Sequence, residues 1–268
     1  MTTRIFRPGL AVLLLLLTWS PVQGESFDAF LEPYRTVEVS APFRDRLDTL
    51  HVSDGQSVAA GELLAELGSK VLLAQLALAR EAAAFTGAID SARALETMRR
   101  NRLATLEELA KTGNVRPQEI ITAETELRMA RAQLQSALEG QQLKKLEVAV
   151  IEAQLEEKKL RSPIAGVVVK VSRQPAELVG GTDQQPLLTI VQLDPLQAVF
   201  HLPHTLTGQL HPGSAVVLDQ QGQPVAAELE YISPVINAQS GTVEVRVRIP
   251  NQQEKLTSGS RCSLTIDH

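Results

Sequence analysis

Two long stretches of the chain carry apolar residues at the seven-residue spacing of a coiled coil. The first stretch runs from Val71 to about Ala110, is rich in Ala, Leu, Glu and Arg, and contains no proline. Gly87 is a weak point inside it, because glycine is a poor helix former. Two rows of residues at sevenfold spacing, which we call ladders, form the predicted seam, the face that packs on the other helix. One ladder is interrupted at Arg99 and contains Val71, Leu78, Phe85, Ala92 and Leu106. The companion ladder is interrupted at Glu96 and contains Ala82, Ile89, Leu103 and Ala110.

The second stretch runs from about Pro117 to Lys158. Gly113-Asn114 followed closely by proline predicts that one helix stops there and another begins at Pro117. The two helices, of about forty residues each, are joined by a short turn and therefore pack antiparallel, as a hairpin roughly 60 Å long. The second helix has two ladders: Ile120, Leu127, Leu134, Gln141, Val148 and Leu155, then Ala123, Ala130, Ala137, Lys144 and Ile151.

Both flanks of this hairpin are β-like, and they resemble each other. The first begins at Pro42 and reaches Gly61 after 19 residues, and the second begins at Pro163 and reaches Gly181 after 18 residues. The second contains the stretch LRSPIAGVV, residues 160–168, a turn that feeds a run of valines. Each copy supplies half of a small β-sandwich, and neither half closes a core alone. We therefore expect the two halves to meet, which brings the two feet of the hairpin together.

From Pro195 onward the chain consists of short strand patterns separated by turn signals. Residues 242–249 alternate between apolar and polar side chains, which is typical of a strand with one buried and one solvated face. This region predicts a β-barrel, which a short strand near residues 27–37 would join.

The order of these parts resembles one family. A lipoyl-like domain split by a long hairpin and followed by a barrel is similar to the periplasmic adaptor, or membrane fusion, proteins, which include HlyD-like secretion and RND-type efflux adaptor subunits. The LRSPIAGVV turn is the strongest local mark, and the resemblance covers nearly all of the chain after residue 24.

The resemblance implies an α+β, elongated, multidomain fold, with a β-barrel and a lipoyl-like split β-sandwich domain interrupted by a long antiparallel α-helical coiled-coil hairpin. The implied domains are a signal peptide at 1–24, the barrel at 25–36 and 195–268, the lipoyl/biotinyl-like domain at 37–69 and 157–194, and the hairpin at 70–156.

The N-terminus predicts export. Arg4 and Arg7 precede an apolar stretch from Leu10 to Trp19, and Gly24 is a plausible cleavage site. A basic start, a short apolar core and small residues at a cut site are the marks of a secretory signal peptide. The apolar run is shorter than the ~20 residues that span a bilayer, although an uncleaved anchor is the alternative. With no cysteine near the cut site, a lipoprotein anchor is excluded, and we expect a periplasmic protein associated with the inner membrane.

Composition excludes some classes of function. The chain has 268 residues, of which 44% are hydrophobic and 21% charged, as in folded proteins. Its net charge of −5 provides no basic field, so nucleic acid is not an expected partner. The sequence contains no nucleophile elbow, phosphate loop or paired acid and base, so an enzyme is not expected. Cys262, the only cysteine, lies in an alternating strand pattern and forms no internal disulfide.

No cofactor or metal is expected either. Lys70 lies near the turn where lipoyl and biotinyl domains carry their modified lysine, but the predicted helix begins immediately afterwards, and export removes the protein from cytoplasmic attachment enzymes. His201, His204 and His211 lie in one stretch with a spacing that is weak for zinc or copper. Methionine occurs only three times, which disfavours a soft-metal carrier.

The hairpin tip is the candidate functional site. In many members of the family an Arg, a Leu four residues on and a Ser seven residues further contact the outer-membrane channel. Arg102 and Leu106 match the first two positions, whereas the third is Gly113. A register shifted by three residues consists of Thr105, Leu109 and Arg116 and matches the motif only at the leucine. An ordinary polar turn is the alternative. The resemblance implies a partner-binding tip of Arg102, Leu106, Thr112, Gly113, Asn114, Val115 and Arg116.

The function that the resemblance implies is that of a periplasmic adaptor subunit in a tripartite efflux or secretion system. Such a subunit links an inner-membrane transporter, of RND or ABC type, to an outer-membrane channel, and it forms a homo-oligomeric ring, a trimer or hexamer. Many members continue into a membrane-proximal domain, whereas this sequence ends at His268, so the contact with the transporter is left open. The alternatives are an envelope scaffold or substrate-delivery protein without a pump, and a lipoyl or biotinyl carrier domain.

Overall fold

The computed structural model describes residues 25–181, 185–208 and 210–266, and the predicted signal peptide lies outside them. One compact unit spans Thr36–Val191, and the other combines the chain before Thr36 with the chain from Gln192 onward. The elements of the described residues are β1 (Glu25–Val39), β2 (Asp45–Leu50), β3 (Ser57–Val58), β4 (Leu63–Leu67), α1 (Lys70–Ala84), α2 (Gly87–Ala110), α3 (Pro117–Glu157), β5 (Lys159–Arg161), β6 (Gly166–Val171), β7 (Leu178–Val179), β8 (Leu188–Pro203), α4 (His204–Thr207), β9 (Ala215–Gln220), β10 (Gln223–Asn237), β11 (Thr242–Ile249) and β12 (Arg261–Ile266).

The unit that contains the C-terminal segment is a β-barrel. Its strands follow the order β1, β12, β9, β10, β11 and β8, and β1 also pairs with β8, which closes the barrel. β1 runs antiparallel to β12, from Glu25 opposite Ile266 to Phe30 opposite Arg261. The strand that the sequence predicts near residues 27–37 therefore does join the barrel.

Alternation along the strands builds the barrel core. On β11 the four apolar residues are buried, while the charged residues between them are half-buried or exposed. Phe200 on β8 is the largest of the fully buried side chains in the described part of the chain. Burying a side chain of this size stabilises the fold by about 1.5–3 kcal/mol. The best buried members of this core are Leu31, Leu196, Ala198, Phe200, Leu202, Leu218, Leu229, Val245, Val247, Ile249 and Cys262.

The other unit contains a β-sandwich whose two halves are separated in sequence by the hairpin. β2 pairs with β4 inside the first half, while β4–β5, β2–β7 and β3–β6 pairs join the first half to the second. β6 then pairs with the start of β8. The expectation that the two halves meet is confirmed, because one core holds Leu47 and Leu64 of the first half beside Val168 and Ile190 of the second.

Main-chain contacts hold the two halves close together. Gly61 N donates to Ser162 O at 2.7 Å, and Ser162 N donates to Glu62 O at 2.9 Å. Gly166, in the LRSPIAGVV turn, approaches β8 so closely that a Cβ atom there would overlap the carbonyl group of Val191. The turn that marks the family in sequence is therefore a place where two backbones touch, which only glycine permits.

The hairpin has one continuous arm and one interrupted arm. α3 is a single helix of 41 residues that begins at Pro117, as the sequence predicts. The other arm consists of α1, with 15 residues, and α2, with 24 residues. Phe85 and Thr86 separate them, and the backbone of Phe85 is extended, with φ −65° and ψ 118°. The interruption directly precedes Gly87, the weak point of the sequence pattern.

Burial confirms the predicted seam of α3. Ala123, Leu127 and Ala130 are buried, and the other ladder positions are half-buried except for Lys144, which is exposed. All of these residues lie on the face of α3 that packs against the first arm.

Burial also confirms the seam of α2. Ile89 and Ala92 are buried, and the two polar interruptions of the ladders, Glu96 and Arg99, also occupy the seam. Glu96 is only 3% exposed. The interruptions are therefore polar residues within the helix–helix contact and not gaps in it.

The ladder predicted for α1 is wrong. Val71, Leu78 and Phe85 are 72%, 73% and 76% exposed, and the residues buried on this helix are Leu76 and Ala79. Counting back in sevens from the buried residues of α2 gives positions 75 and 78, and the residues buried on α1 lie one position later than these. The break before α2 shifts the helical phase by that residue, because Phe85 and Thr86 do not continue the helix.

Candidate partner-binding site at the hairpin tip

The tip is a compact turn between the end of α2 and the start of α3. Gly113 N donates to Ala110 O at 3.0 Å, and Thr112 N donates to Leu109 O at 3.1 Å. Gly113 has a φ of +76°, in the left-handed region that favours glycine after a helix. The turn thus ends α2 with satisfied carbonyl groups and reverses the chain within a few residues.

The polar side chains of the turn stabilise it locally and remain accessible. The Thr112 hydroxyl donates to Leu109 O at 2.8 Å, and Asn114 Nδ2 donates to Thr112 Oγ1 at 3.1 Å. Arg116 is exposed and directly precedes α3, while Val115 is half-buried. The turn exposes two short polar side chains and two cations, of which Lys111 is paired with Glu108 at 2.6 Å.

The two remaining predicted site residues lie within the paired part of the hairpin. Arg102 Nη1 is 3.4 Å from Glu126 Oε2 on the opposite arm, and the same oxygen lies 2.8 Å from Arg99 Nη1. Leu106 is half-buried at a seam position. The structure therefore brings together the five turn residues and leaves Arg102 and Leu106 below them, in contacts between the arms.

Two apolar residues beside the turn are absent from the predicted site, although one of them, Leu109, is the leucine that the shifted register of the tip motif matches. Leu109 on α2 is 44% exposed and Ile121 on α3 is 53% exposed. Each sits next to a ladder position, Ala110 and Ile120 respectively, and belongs to no ladder itself. An apolar residue off the ladder near a helix end is the signal that could have identified them.

Below the tip, charged side chains bridge the two arms at buried positions. The Glu96 carboxylate, whose side chain is 4% exposed, accepts a hydrogen bond from Arg100 and lies 3.4 Å from Arg131 Nε on α3. Arg99 and Glu126 form a second bridge, with side chains that are each 29% exposed. A buried charge is tolerated only when it is paired, so these contacts fix which residues of the arms face each other.

Near the sandwich, the hairpin exposes apolar side chains on both arms. We call Val71, Leu78 and Phe85 the α1 stripe, and Leu143, Leu146 and Val150 the α3 stripe. The members are 72%, 73% and 76% exposed on α1 and 67%, 52% and 57% exposed on α3.

By length and composition alone, residues 70–110 are also apolar enough to cross a membrane, but they lie along α3 as one arm of the hairpin.

The two stripes overlap along the hairpin. Arg80 on α1 pairs with Glu152 on α3 at 2.6 Å, and Gln141 Nε2 on α3 donates to Ala83 O at 3.4 Å. Because the arms are antiparallel, the part of α1 between Leu78 and Phe85 lies at the level of the α3 stripe. Each stripe points away from the seam between the arms, since the seam residues lie elsewhere on each helical wheel. Contiguous exposed apolar surface of this kind marks an interaction site.

The other candidate residues are dispersed. Lys70 is the first residue of α1 and is exposed, and it lies at the foot of the hairpin. His201 is on β8, His204 begins α4 and His211 lies in the following loop. Within residues 25–181, 185–208 and 210–266, no group of three His, Cys, Asp or Glu is arranged to hold a metal ion.

The barrel carries the clearest electrostatic effects of the described chain. Burial raises the pKa of the Cys262 thiol to about 11. On the barrel surface, the hydrogen bond from Arg261 lowers the pKa of Asp28, and the hydrogen bond that Tyr34 donates to Glu230 at 2.6 Å raises the pKa of Tyr34. Each of these shifts traces to burial or to a hydrogen bond within the barrel.

A split β-sandwich, a coiled-coil hairpin inserted between its halves and a barrel together define the membrane fusion class of proteins. The chain belongs to the family described as "RND MFP, barrel-sandwich hybrid domain", which matches residues 35–191. Residues 198–268 match the description "CusB-like, beta-barrel domain".

Similar proteins come from several bacteria. The chain is 27% identical over 230 residues to multidrug resistance protein MdtA of Proteus mirabilis, covering 82% of this chain and 53% of that protein. It is 28% identical over 233 residues to MdtA of Erwinia amylovora, covering 82% and 54%. The chain therefore spans about half the length of these curated relatives.

A solved structure shares the fold. MacA from Actinobacillus actinomycetemcomitans superimposes with a TM-score of 0.68 at 20% identity, covering 91% of this chain and 78% of that one. At this identity the likeness shows a common fold.

Proposed function

We propose that this protein is a periplasmic adaptor subunit of a tripartite efflux system that links an inner-membrane transporter to an outer-membrane channel. The family description favours an RND-type transporter. The observation that carries the proposal is the long hairpin inserted between the two halves of one sandwich. A two-helix rod buries little core of its own, so its length serves reach, and its tip serves contact.

The anchoring of the hairpin supports this role. Leu67 N donates to Lys158 O at 2.9 Å, which ties the end of α3 to β4. The Lys158 ammonium pairs with Asp45 and lies 4.0 Å from the centroid of the Phe43 ring. The Lys158 and Asp45 side chains are only 18% and 22% exposed, so salt screens their attraction little. Such a foot sets the direction of the hairpin from the sandwich.

The two stripes support assembly as a homo-oligomeric ring. In a closed ring every copy sits at the same height, so two surfaces that meet between neighbours must lie at the same level of the subunit. Leu78 and Phe85 of the α1 stripe lie at the level of the α3 stripe and satisfy this condition, and both stripes have apolar residues at spacings of three, four or seven. In this assembly the α1 stripe of one copy packs on the α3 stripe of the next.

The tip supports a contact with helical ends of an outer-membrane channel. Thr112, Asn114 and Arg116 supply polar contacts, and Leu109 and Ile121 supply apolar surface beside them. The adaptor performs no chemistry of its own in this proposal. It is a conduit and a coupling element in the periplasm, associated with the inner membrane.

The first test is in-cell crosslinking of the tagged full chain, gentle membrane extraction and mass spectrometry of the captured proteins. We expect both an inner-membrane transporter and an outer-membrane channel. Recovery of the chain without either, while a known adaptor is crosslinked efficiently in parallel, overturns the proposal. That outcome favours an envelope scaffold or substrate-delivery protein. The incomplete tip motif, with Gly113 in its third position, also favours this alternative.

The ring is tested with Leu78→Glu, which places a carboxylate in the centre of the α1 stripe. We expect a lower oligomer mass in sedimentation velocity at every concentration, with unchanged helix content by circular dichroism. Ala77→Glu is the matched control, because Ala77 is exposed on the same helix but outside the stripe. An oligomer that both variants leave intact, or both disrupt, contradicts the assignment of the stripe.

The tip is tested with Arg116→Glu, which reverses an exposed charge without touching the contacts between the arms. We expect the crosslink to the channel to weaken and the crosslink to the transporter to persist. Arg128→Glu, also exposed on α3 but distant from the turn, is the control and leaves both crosslinks in place. Equal loss of both crosslinks in Arg116→Glu argues against a contact at the tip.

A further inference from the structure

The first arm of the hairpin is interrupted at one level, and the second arm carries a glycine there. On the first arm, Phe85 and Thr86 leave the helix between α1 and α2. On α3, Gln141 Nε2 donates to Ala83 O at 3.4 Å, a carbonyl at the end of α1. This contact places Gly140, the residue before Gln141, beside the interruption. We call residues 85–87 and 140–141 the neck.

Packing gives no reason for the two glycines of the neck. A Cβ atom at Gly87 or at Gly140 would meet nothing within 4 Å. Gly140 lies inside α3, where glycine costs about 1 kcal/mol relative to alanine, whereas Gly87 is the first residue of α2. Both arms therefore carry a glycine at the same level, where substitution by alanine meets no steric obstacle.

The seam is also weakest at the neck. On the tip side, Ile89, Ala92, Ala123, Leu127 and Ala130 are buried between the arms. At the neck and just below it, the corresponding seam positions of α3 are polar. They are the half-buried Gln141 and the exposed Lys144.

The segment on the tip side is, in contrast, cross-braced. The Glu96–Arg131 and Arg99–Glu126 bridges join its two arms at buried or half-buried positions. Helices that are packed and paired in this way move together. Any bending of the hairpin therefore concentrates where helical hydrogen bonds are interrupted and the seam is polar.

We propose that the neck is a bending joint about which the distal hairpin tilts as one body relative to the part anchored in the sandwich. The change in direction is taken up by Phe85 and Thr86 on one arm and by the helix around Gly140 on the other. The pairing of the arms above the joint persists as it bends. The tip thereby samples a range of positions while the foot stays fixed. The inference rests on the geometry of the hairpin and does not require the adaptor function.

The test is a distance distribution between two spin labels in the purified full chain, with Cys262→Ala so that only introduced cysteines are labelled. The pair Ala77→Cys and Met98→Cys spans the neck on one arm, and both side chains are exposed. The pair Ala88→Cys and Glu108→Cys lies wholly in the distal segment, at a comparable separation of 20 residues against 21. We expect the distribution across the neck to be broader than the distribution of the distal pair.

The decisive variant is Gly87→Ala with Gly140→Ala. We expect it to narrow the distribution across the neck to the width of the distal pair and to leave the distal pair unchanged. Ser136→Ala, an exposed helical substitution outside the neck, is the control that raises helix propensity without narrowing the distribution. Circular dichroism verifies that all variants fold.

Two results overturn the proposal. One is a distribution across the neck that is already as narrow as that of the distal pair. The other is a broad distribution that the double substitution does not change in a folded protein. Because the measurement uses the chain alone, its outcome is independent of whether a transporter or a channel is ever found.

Discussion

Glu96 is the one acidic side chain found buried in the hairpin seam within the described residues. Its carboxylate accepts a hydrogen bond from Arg100 and faces Arg131 of the opposite arm. Both arginine side chains are mostly exposed, at 58% and 61%. We predict opposite effects for two substitutions at this position: Glu96→Leu stabilises the hairpin, and Glu96→Lys destabilises it.

The magnitudes follow from what each change leaves behind. In Glu96→Leu the seam gains apolar surface, and the two arginines return to water, so no buried charge is orphaned. Replacing a buried ion pair by an apolar side chain is neutral or stabilising by about 1–4 kcal/mol, and we expect the lower half of that range because Glu96 already forms two contacts. In Glu96→Lys an ammonium faces two guanidinium groups in a buried position, for which a loss of about 3–5 kcal/mol is expected.

Urea unfolding followed at 222 nm measures both changes. The long helices of the described chain all belong to the hairpin, so this signal reports on it. Glu124→Leu is the matched control, since Glu124 is exposed on α3 and its loss should change the midpoint little. If Glu96→Leu lowers the midpoint as far as Glu96→Lys does, the carboxylate is required for the pairing itself and the reasoning above fails.

Predictions at three further residues concern the β-structure. Gly166→Ala forces a Cβ atom against the carbonyl of Val191, so we expect less folded protein. Soluble yield and thermal unfolding measure this loss. A melting temperature within a degree or two of the parent contradicts the close approach of the two backbones. Because burial raises the pKa of the Cys262 thiol to about 11, only about one molecule in a thousand carries a thiolate at pH 8. A thiol reagent should therefore react with Cys262 only after denaturation. Rapid reaction of the reagent with the folded protein argues against this burial. The same raised pKa predicts that the contribution of this thiol to stability is constant below about pH 9, the ordinary pKa of the unfolded thiol, and is lost between pH 9 and 11 as the unfolded thiol ionises first. Phe200→Ala should destabilise the barrel by about 3–5 kcal/mol, measured as a shift of the urea unfolding midpoint. Phe30→Ala is the control, because the Phe30 ring is 61% exposed. Equal midpoints for the two variants contradict the assigned core.

The fold is well predicted by the sequence wherever one periodicity applies throughout an element. The ladders of α3 agree with its buried face because no residue interrupts that helix from Pro117 to Glu157. The barrel strand Thr242–Ile249 is likewise explicit in its alternation. The internal repeat predicts that two distant segments form one sandwich, because half a sandwich has no core of its own.

The candidate site is less well predicted, for reasons that are local. Arg102 and Leu106 fit a sequence motif, but the motif does not state that Arg102 pairs with Glu126 across the hairpin. Leu109 and Ile121 escape a ladder analysis, since such an analysis looks only for residues that face the partner helix. Exposure depends on the arrangement of both arms together, and a single helical pattern does not contain it.

The error in α1 is informative about assembly. Its sequence has more apolar residues than one seam can bury: Leu76 and Ala79 fill the contact with α3, while Val71, Leu78 and Phe85 remain at least 72% exposed. Burying one such side chain contributes roughly 1.5–3 kcal/mol, so leaving three of them in water would be costly for an isolated subunit. A helix with two apolar faces is built for two helical partners. One partner is α3 of the same chain, and in the proposed ring the residues of the misassigned ladder face the second.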